Sequence, residues 1–221
     1  MDLPIHRQTP DRPGDMQPLV ADLALRRGRV HEFCGPARRT LAVLAMAKAS
    51  GTVVWIRPGW RPERLNVAGL QPLADPARLI LVEAARDENL LWAMEEALRS
   101  GVAPLVVAEL SSPPALTPIR RLHLAAEAGA GAARREGWVQ PLGLVLLPGA
   151  GGAQGIESRW HMAPRPSPTL LWSEGVTWHL SRLRARLLPP AAWTLWRGPG
   201  GQERLATTPL PEADPAPNTA R

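Results

Sequence analysis

Residues 32–41 read Glu-Phe-Cys-Gly-Pro-Ala-Arg-Arg-Thr-Leu. An apolar strand pattern leads into them and a helical pattern leads out, which is where a phosphate-binding loop sits. A working loop has the form G-x-x-x-x-G-K-[ST]. Its glycines let backbone N–H groups wrap the phosphates, its lysine neutralises charge, and its hydroxyl holds magnesium. Gly35 supplies the first glycine, and Thr40 stands where the hydroxyl would be. The second glycine and the lysine are missing, and the loop is about two residues short of that form. Arg38 and Arg39 bring charge without the backbone path. The stretch Gly35, Pro36, Ala37, Arg38, Arg39, Thr40 therefore reads as a degenerate nucleotide site with no cofactor expected. An ordinary strand-to-helix turn is the alternative. No catalytic residue is assigned.

Other chemistry-bearing residues are scattered. His6, His31, His123, His161 and His179 show neither zinc-ligand spacing nor an acidic companion at a helical offset, so no metal site is expected. Ser111-Ser112-Pro113 has no base beside it and gives no nucleophilic triad. The single cysteine, Cys34, excludes an intramolecular disulfide and a cysteine-built zinc site, which suits a reducing cytosol. Gly149-Ala-Gly-Gly-Ala-Gln-Gly155 could cradle a phosphate, but it leads into a strand pattern and reads better as a flexible connector. Arg182, Arg184 and Arg186 alternate with Leu183, Ala185 and Leu187, so a strand would set the three arginines on one wet face. Arg159 alternates in the same way with Trp160. These four arginines are candidate contacts for an acidic partner, with a solvated face as the alternative. Nine tryptophans accompany one Phe and no Tyr. Trp55 and Trp92 are expected against a sheet, and the later ones suit either an aromatic core or interface anchors.

The elements that would position these groups follow from the apolar pattern. Residues 30–33, 52–56, 79–83, 104–109 and 142–147 read as buried strands. Residues 40–50 predict a helix closed by Gly51. Leu90, Leu91, Met94, Ala97 and Leu98 lie at helical spacing between an Asp87 cap and Gly101. Thr117-Pro118 opens another helix, predicted to end at Gly129. Residues 19–25 predict a short helix. Continuous apolar strands alternating with helices predict an α/β fold with a mostly parallel sheet flanked by helices. From residue 157 the strands alternate apolar with polar, which predicts an antiparallel C-terminal extension of the sheet. The proline-rich segments predict a flexible N-terminal arm at 1–18 and a disordered C-terminal tail at 205–221, around a single domain at 19–204.

Composition sets outer bounds. A chain of 221 residues with 45% hydrophobic and 21% charged residues suits one globular domain. The net charge is +6, and Lys48 is the only lysine. Basic residues outnumber acidic ones 8 to 5 in residues 1–50 and again 8 to 5 in 157–221, whereas 51–156 is balanced at 10 to 10. Basic ends suit an acidic partner, nucleic acid or protein. Arginine in place of lysine, with abundant proline and alanine, is equally the mark of a GC-rich genome. No apolar run approaches the roughly 18 residues of a membrane span. The first residues lack a signal-peptide pattern, so a cytoplasmic location is expected.

The strand ending in Glu-x-x-Gly-Pro resembles the RecA family, where it opens the phosphate loop. The closer resemblance is to the ImuA family, RecA-like or SulA-like factors of bacterial damage-tolerance cassettes. It is carried by Gly28-Arg-Val-His-Glu-Phe-Cys-Gly-Pro36, Ala77-Arg-Leu-Ile-Leu-Val-Glu83 and Leu91-Trp-Ala-Met-Glu-Glu-Ala-Leu-Arg-Ser-Gly101. Leu105-Val-Val-Ala-Glu-Leu110, Arg120-Arg-Leu-His-Leu-Ala-Ala-Glu-Ala-Gly129 and Glu157-Ser-Arg-Trp160 complete a series covering roughly residues 28–197. The resemblance implies a RecA-like domain and a non-catalytic accessory role in SOS-induced translesion DNA synthesis. The implied partner is an ImuB-like inactive relative of the Y-family polymerases. RecA, an error-prone replicative polymerase and DNA itself are further candidate partners. A SulA-like inhibitor of cell division and a weak or atypical RecA-like ATPase are the alternatives. Two departures speak against the ATPase. Arg57-Pro-Gly-Trp60 offers no carboxylate where such enzymes place a water-activating glutamate, and Glu109 stands where an aspartate would assist magnesium.

Overall fold

The computed structural model describes residues 14–166 and 175–209. Its centre is a nine-stranded sheet. The parallel part is built by β3 (Val30–Cys34), β4 (Val53–Pro58), β5 (Leu79–Ala84), β6 (Leu105–Glu109), β7 (Leu142–Leu147) and β8 (Ser158–Arg165). The sheet continues antiparallel through β9 (Val176–Ala185), β10 (Ala191–Arg197) and β11 (Glu203–Thr208), in the order β11-β10-β9-β8-β3-β7-β6-β4-β5. A separate hairpin joins β1 (Met16–Val20) to β2 (Leu23–Arg26). The α/β class, the mostly parallel sheet and its antiparallel C-terminal part are those the sequence pattern predicts.

Two apolar layers hold the sheet. One face packs on α1 (Arg38–Lys48) and the β1–β2 hairpin, with Leu41, Leu44, Phe33, Trp55, Trp160 and Leu180 in the same cluster. The other face packs on α3 (Asp87–Ser100) and α4 (Leu116–Arg135), through Leu90, Met94, Leu98, Ile119 and Leu122. On α3 and α4 these side chains recur at three- and four-residue intervals, so each of the two buries one stripe, whereas α1 is buried all round from Leu41 to Met46. The four-residue α2 (Val67–Leu70) caps itself through the Asn66 side chain. Strands β3, β6 and β7 are buried along their whole length, as central parallel strands must be. The outer strand β5 leaves Ile80 and Leu81 half exposed.

Several expectations shift. Residues 19–25 form the turn and flanks of a hairpin, not a helix. The turn uses Ala21 at φ 45°, a non-glycine residue that carries no turn signal. Strand β1 starts at Met16, inside the expected arm, because Leu19 and Val20 bury against the α1 layer. Strand β11 reaches Thr208, inside the expected tail. It pairs along β10, packs Leu205 on the core, and ties Glu203 to Lys48 at 3.2 Å and to the Ala21 amide at 3.1 Å. The remainder of the arm and tail, with His6 and Trp172, lies outside the described residues. Trp92 is 62% exposed on the outer side of α3, beside Pro118 and Arg121 of α4, while Trp55 is buried as expected.

Gly129 does not end α4, which runs on to Arg135. It is where the two helices cross. A Cβ at Gly129 would stand 1.9 Å from the Leu98 carbonyl oxygen at the end of α3, which closes on Gly101 at φ 71°. The sequence shows a glycine, but not whether it stops a helix or lets two backbones meet. Gly129→Ala should therefore cost about 2 kcal/mol or more, since backbone has to move. Gly131→Ala, two residues on, where a Cβ would meet only the Arg135 side chain at 3.8 Å, should instead be neutral or stabilise by about 0.5–1 kcal/mol. Urea unfolding midpoints of the two variants check the contrast.

Candidate functional site: the loop between the central strand and the first helix

The loop at 35–40 leaves β3 at Gly35, which has φ 88°. A Cβ there would lie 2.6 Å from the Met162 carbonyl and 2.7 Å from His161 Nε2, so glycine is required by space as well as by backbone angle. Three amides of the loop are already used. Gly35 N–H donates to Gly149 O at 2.8 Å, Ala37 N–H to Met162 O at 3.0 Å, and Arg38 N–H to Gly35 O at 3.3 Å. The Arg38 side chain also donates to Gly35 O, at 3.1 Å. Arg39, in the first turn of α1, forks onto Glu109 at the end of β6, with Nε and Nη2 at 3.0 and 2.6 Å from Oε2. Trp55 Nε1 donates to the other Glu109 oxygen at 2.9 Å. The Glu109 carboxylate is thereby held by an arginine and an indole. Arg57, at the end of β4, is buried and donates to the Glu63 and Arg61 carbonyls at 3.0 and 2.9 Å.

The glycine-rich segment also binds an anion, and the anion is internal. Glu32, the third residue of β3, is 0% exposed. Its carboxylate accepts from Gly152 N–H at 2.8 Å, from Ala153 N–H at 2.9 Å and from Arg159 Nε at 2.8 Å. Arg159 Nη2 in turn donates to Ala153 O at 2.9 Å. A Cβ at Gly151 would fall 1.6 Å from the carboxylate, so the segment passes this close only as glycine. The segment expected to be a flexible connector is pinned at its middle.

Neighbouring groups are held uncharged. Burial, and secondarily the Glu32 charge, push the Cys34 thiol up to about 12. Burial pushes His31 down to about 4. Its ring nitrogens sit 2.6 Å from Ser158 Oγ and 2.9 Å from Arg26 O, and Trp160 Nε1 donates to the same hydroxyl at 2.7 Å. Among the described residues, no three His, Cys, Asp or Glu side chains gather at metal-binding spacing, and no helix is long and apolar enough to cross a membrane.

No family model matches the chain. Two curated proteins named "Protein ImuA", from two strains of Caulobacter vibrioides, are each 34% identical over 163 residues, 67% of this chain and 61% of theirs. The chain is related to the ImuA proteins. It spans 61% of the length of these relatives. Among solved structures, SulA from Pseudomonas aeruginosa matches with a TM-score of 0.41 and 21% identity, over 54% of this chain and 98% of that one.

In this ImuA-like chain the four candidate arginines are not brought together. Strand β9 carries a bulge where Trp160 pairs with Arg182 but Arg159 pairs with Arg184, so Leu183 is an extra residue. A bulge shifts the alternation by one, and Arg182 and Arg184 fall on opposite faces. Arg182 is 8% exposed and lies 5.5 and 5.3 Å from the Trp160 and Trp193 ring centroids, which stack at 5.9 Å. Arg159 is committed to Glu32. Arg184 is exposed, and Arg186 is exposed beside Glu157. No pattern in the sequence separates a bulged strand from a regular one, nor marks Glu32 as the partner of Arg159.

Two outcomes follow. Glu32→Ala leaves Arg159 and two amides without their acceptor, and should cost about 3–5 kcal/mol in urea unfolding. His31 titrates near 6.5 when unfolded and about 4 when folded. Its contribution is full above about pH 6.5 and is lost as the pH falls toward 4, by up to about 3 kcal/mol. Unfolding midpoints at about pH 7 and pH 4.5 should diverge in the parent protein and converge in His31→Gln. Equal divergence in both would remove His31 as the cause.

Proposed function

We propose that this chain is a non-catalytic accessory protein of SOS-induced translesion DNA synthesis, acting in the cytoplasm by contacts with other proteins. Its principal partner would be an ImuB-like inactive relative of the Y-family polymerases, with RecA and an error-prone replicative polymerase as further partners. The accessory role is supported by the similarity to proteins named ImuA. The observation that carries the non-catalytic part is the Arg39–Glu109 pair. A metal-bound triphosphate would have to break that fork, release the Trp55 bond and free the amides of Gly35, Ala37 and Arg38, with no lysine to replace them. Each buried donor or acceptor left unpaired opposes binding by about 1–3 kcal/mol.

Of the four candidate arginines, Arg184 and Arg186 are exposed, and these two would make the contact. Arg182 and Arg159 would act indirectly, by holding β8 and β9 in position.

Calorimetric titration with ATP and magnesium should give no micromolar binding, and a phosphate-release assay no turnover. Micromolar affinity with stimulated hydrolysis would restore the ATPase alternative. Pull-down from cells after DNA damage should recover the polymerase relative. Replacing Arg184 and Arg186 with glutamate should then weaken capture at low salt more than at high salt, since exposed charges are screened over about 8 Å at physiological ionic strength. Unchanged capture would reduce both residues to a solvated face.

A further inference from the structure

Among the described residues, the sheet beyond β3 is covered on one side only. Ala37 and Lys48 tie α1 to β8 and β11 on the side that carries Trp160 and Leu195. On the opposite side, among the described residues, no helix lies along β9, β10 or β11. The register sets one row of residues straight across that open side: Arg165 on β8, Thr177 on β9, Trp196 on β10 and Arg204 on β11. Adjacent strands stand about 4.8 Å apart, so the two outer arginines are separated by about 14 Å. Arg165 donates to Thr194 Oγ1 at 3.0 Å, on the same side. The Arg204 guanidinium lies over the Trp196 ring, 5.1 Å from its centroid. His179 and Arg184 lie on this side too. Strands β8 to β11 place no Asp or Glu on it. Among the described residues, no carboxylate pairs with Arg165, Arg184 or Arg204.

We infer that this open face binds single-stranded nucleic acid, with Arg165 and Arg204 on phosphates and the Arg204 guanidinium, seated over Trp196, offering its outer face to an unpaired base. The charge alone would suit any polyanion. The stack favours a nucleic acid, because bases stack on guanidinium and indole planes and an acidic peptide has no such ring. It favours a single strand, because duplex bases are already stacked on each other. The inference rests on surface chemistry and is independent of the adaptor reading.

The test is fluorescence anisotropy of a labelled oligothymidylate against the full chain over a salt series. Binding should weaken with salt. Arg165→Gln with Arg204→Gln should lower affinity about tenfold or more and flatten the log–log salt slope by about 1.4, from two lost phosphate contacts. Trp196→Ala should weaken binding by about fivefold or more. Arg61→Gln with Arg135→Gln removes the same charge elsewhere and should change little. Circular dichroism checks folding. Should a variant not fold, photo-crosslinking of a halogenated oligonucleotide to the parent chain must map to β8, β10 or β11. No binding by the parent, equal binding by the Arg165/Arg204 variant, crosslinks elsewhere, equal affinity for duplex, or equal competition by polyglutamate would each overturn the proposal. Polyglutamate competition would point to an acidic protein instead.

Discussion

A carboxylate with no solvent contact sits at the middle of this molecule. Glu32 lies on the central strand and is neutralised by an arginine from the next strand and by two amides from the segment between. That arrangement joins the parallel sheet to its antiparallel continuation. A buried ion survives only when its charge and lone pairs are all met, so strand β3, the glycine-rich segment and β8 are fixed as one unit. The remaining antiparallel strands build outward from β8, and their geometry inherits this constraint. Cys34 and His31, on either side along β3, are kept neutral by the same burial.

The loop at 35–40 is closed by the same principle. The carbonyls of Met162 on β8, of Gly149 after β7 and of Gly35 itself take the amides of Ala37, Gly35 and Arg38. The Glu109 carboxylate at the end of β6 is faced by Arg39 from the adjoining helix. Strand, loop and helix meet here with these donors and acceptors turned on one another.

Much of this was legible in the sequence. The strands from β3 to β10 and the three long helices follow from apolar runs and helical spacing, because buried central strands and amphipathic helices leave strong periodic marks. The turn from Gly35 into α1 was legible because an apolar strand and a helical pattern flank it directly. The pairings Glu32–Arg159 and Arg39–Glu109 were not, since they join residues 127 and 70 positions apart and nothing local records them. The shared face of Arg182, Arg184 and Arg186 failed for a related reason. Alternation was read as continuous, and a bulge announces itself only through its partner strand. Strand β11 and the first hairpin were missed because each relies on tertiary contacts, Glu203 with Lys48 and Leu19 with the α1 layer, rather than on a pattern of its own.

The bulge in β9 also says where this protein can change length. Leu183 has no pairing partner of its own on β8, so the strand holds one residue more than its register uses. Losing that residue would leave the pairs from Val176 to Arg182 and from Arg184 onward as they are. Losing a residue of β9 well away from the bulge would turn the side chains between the two through the sheet and set apolar groups in water. Insertions and deletions among homologues should therefore collect at this one point, a tolerance built into an otherwise rigid strand.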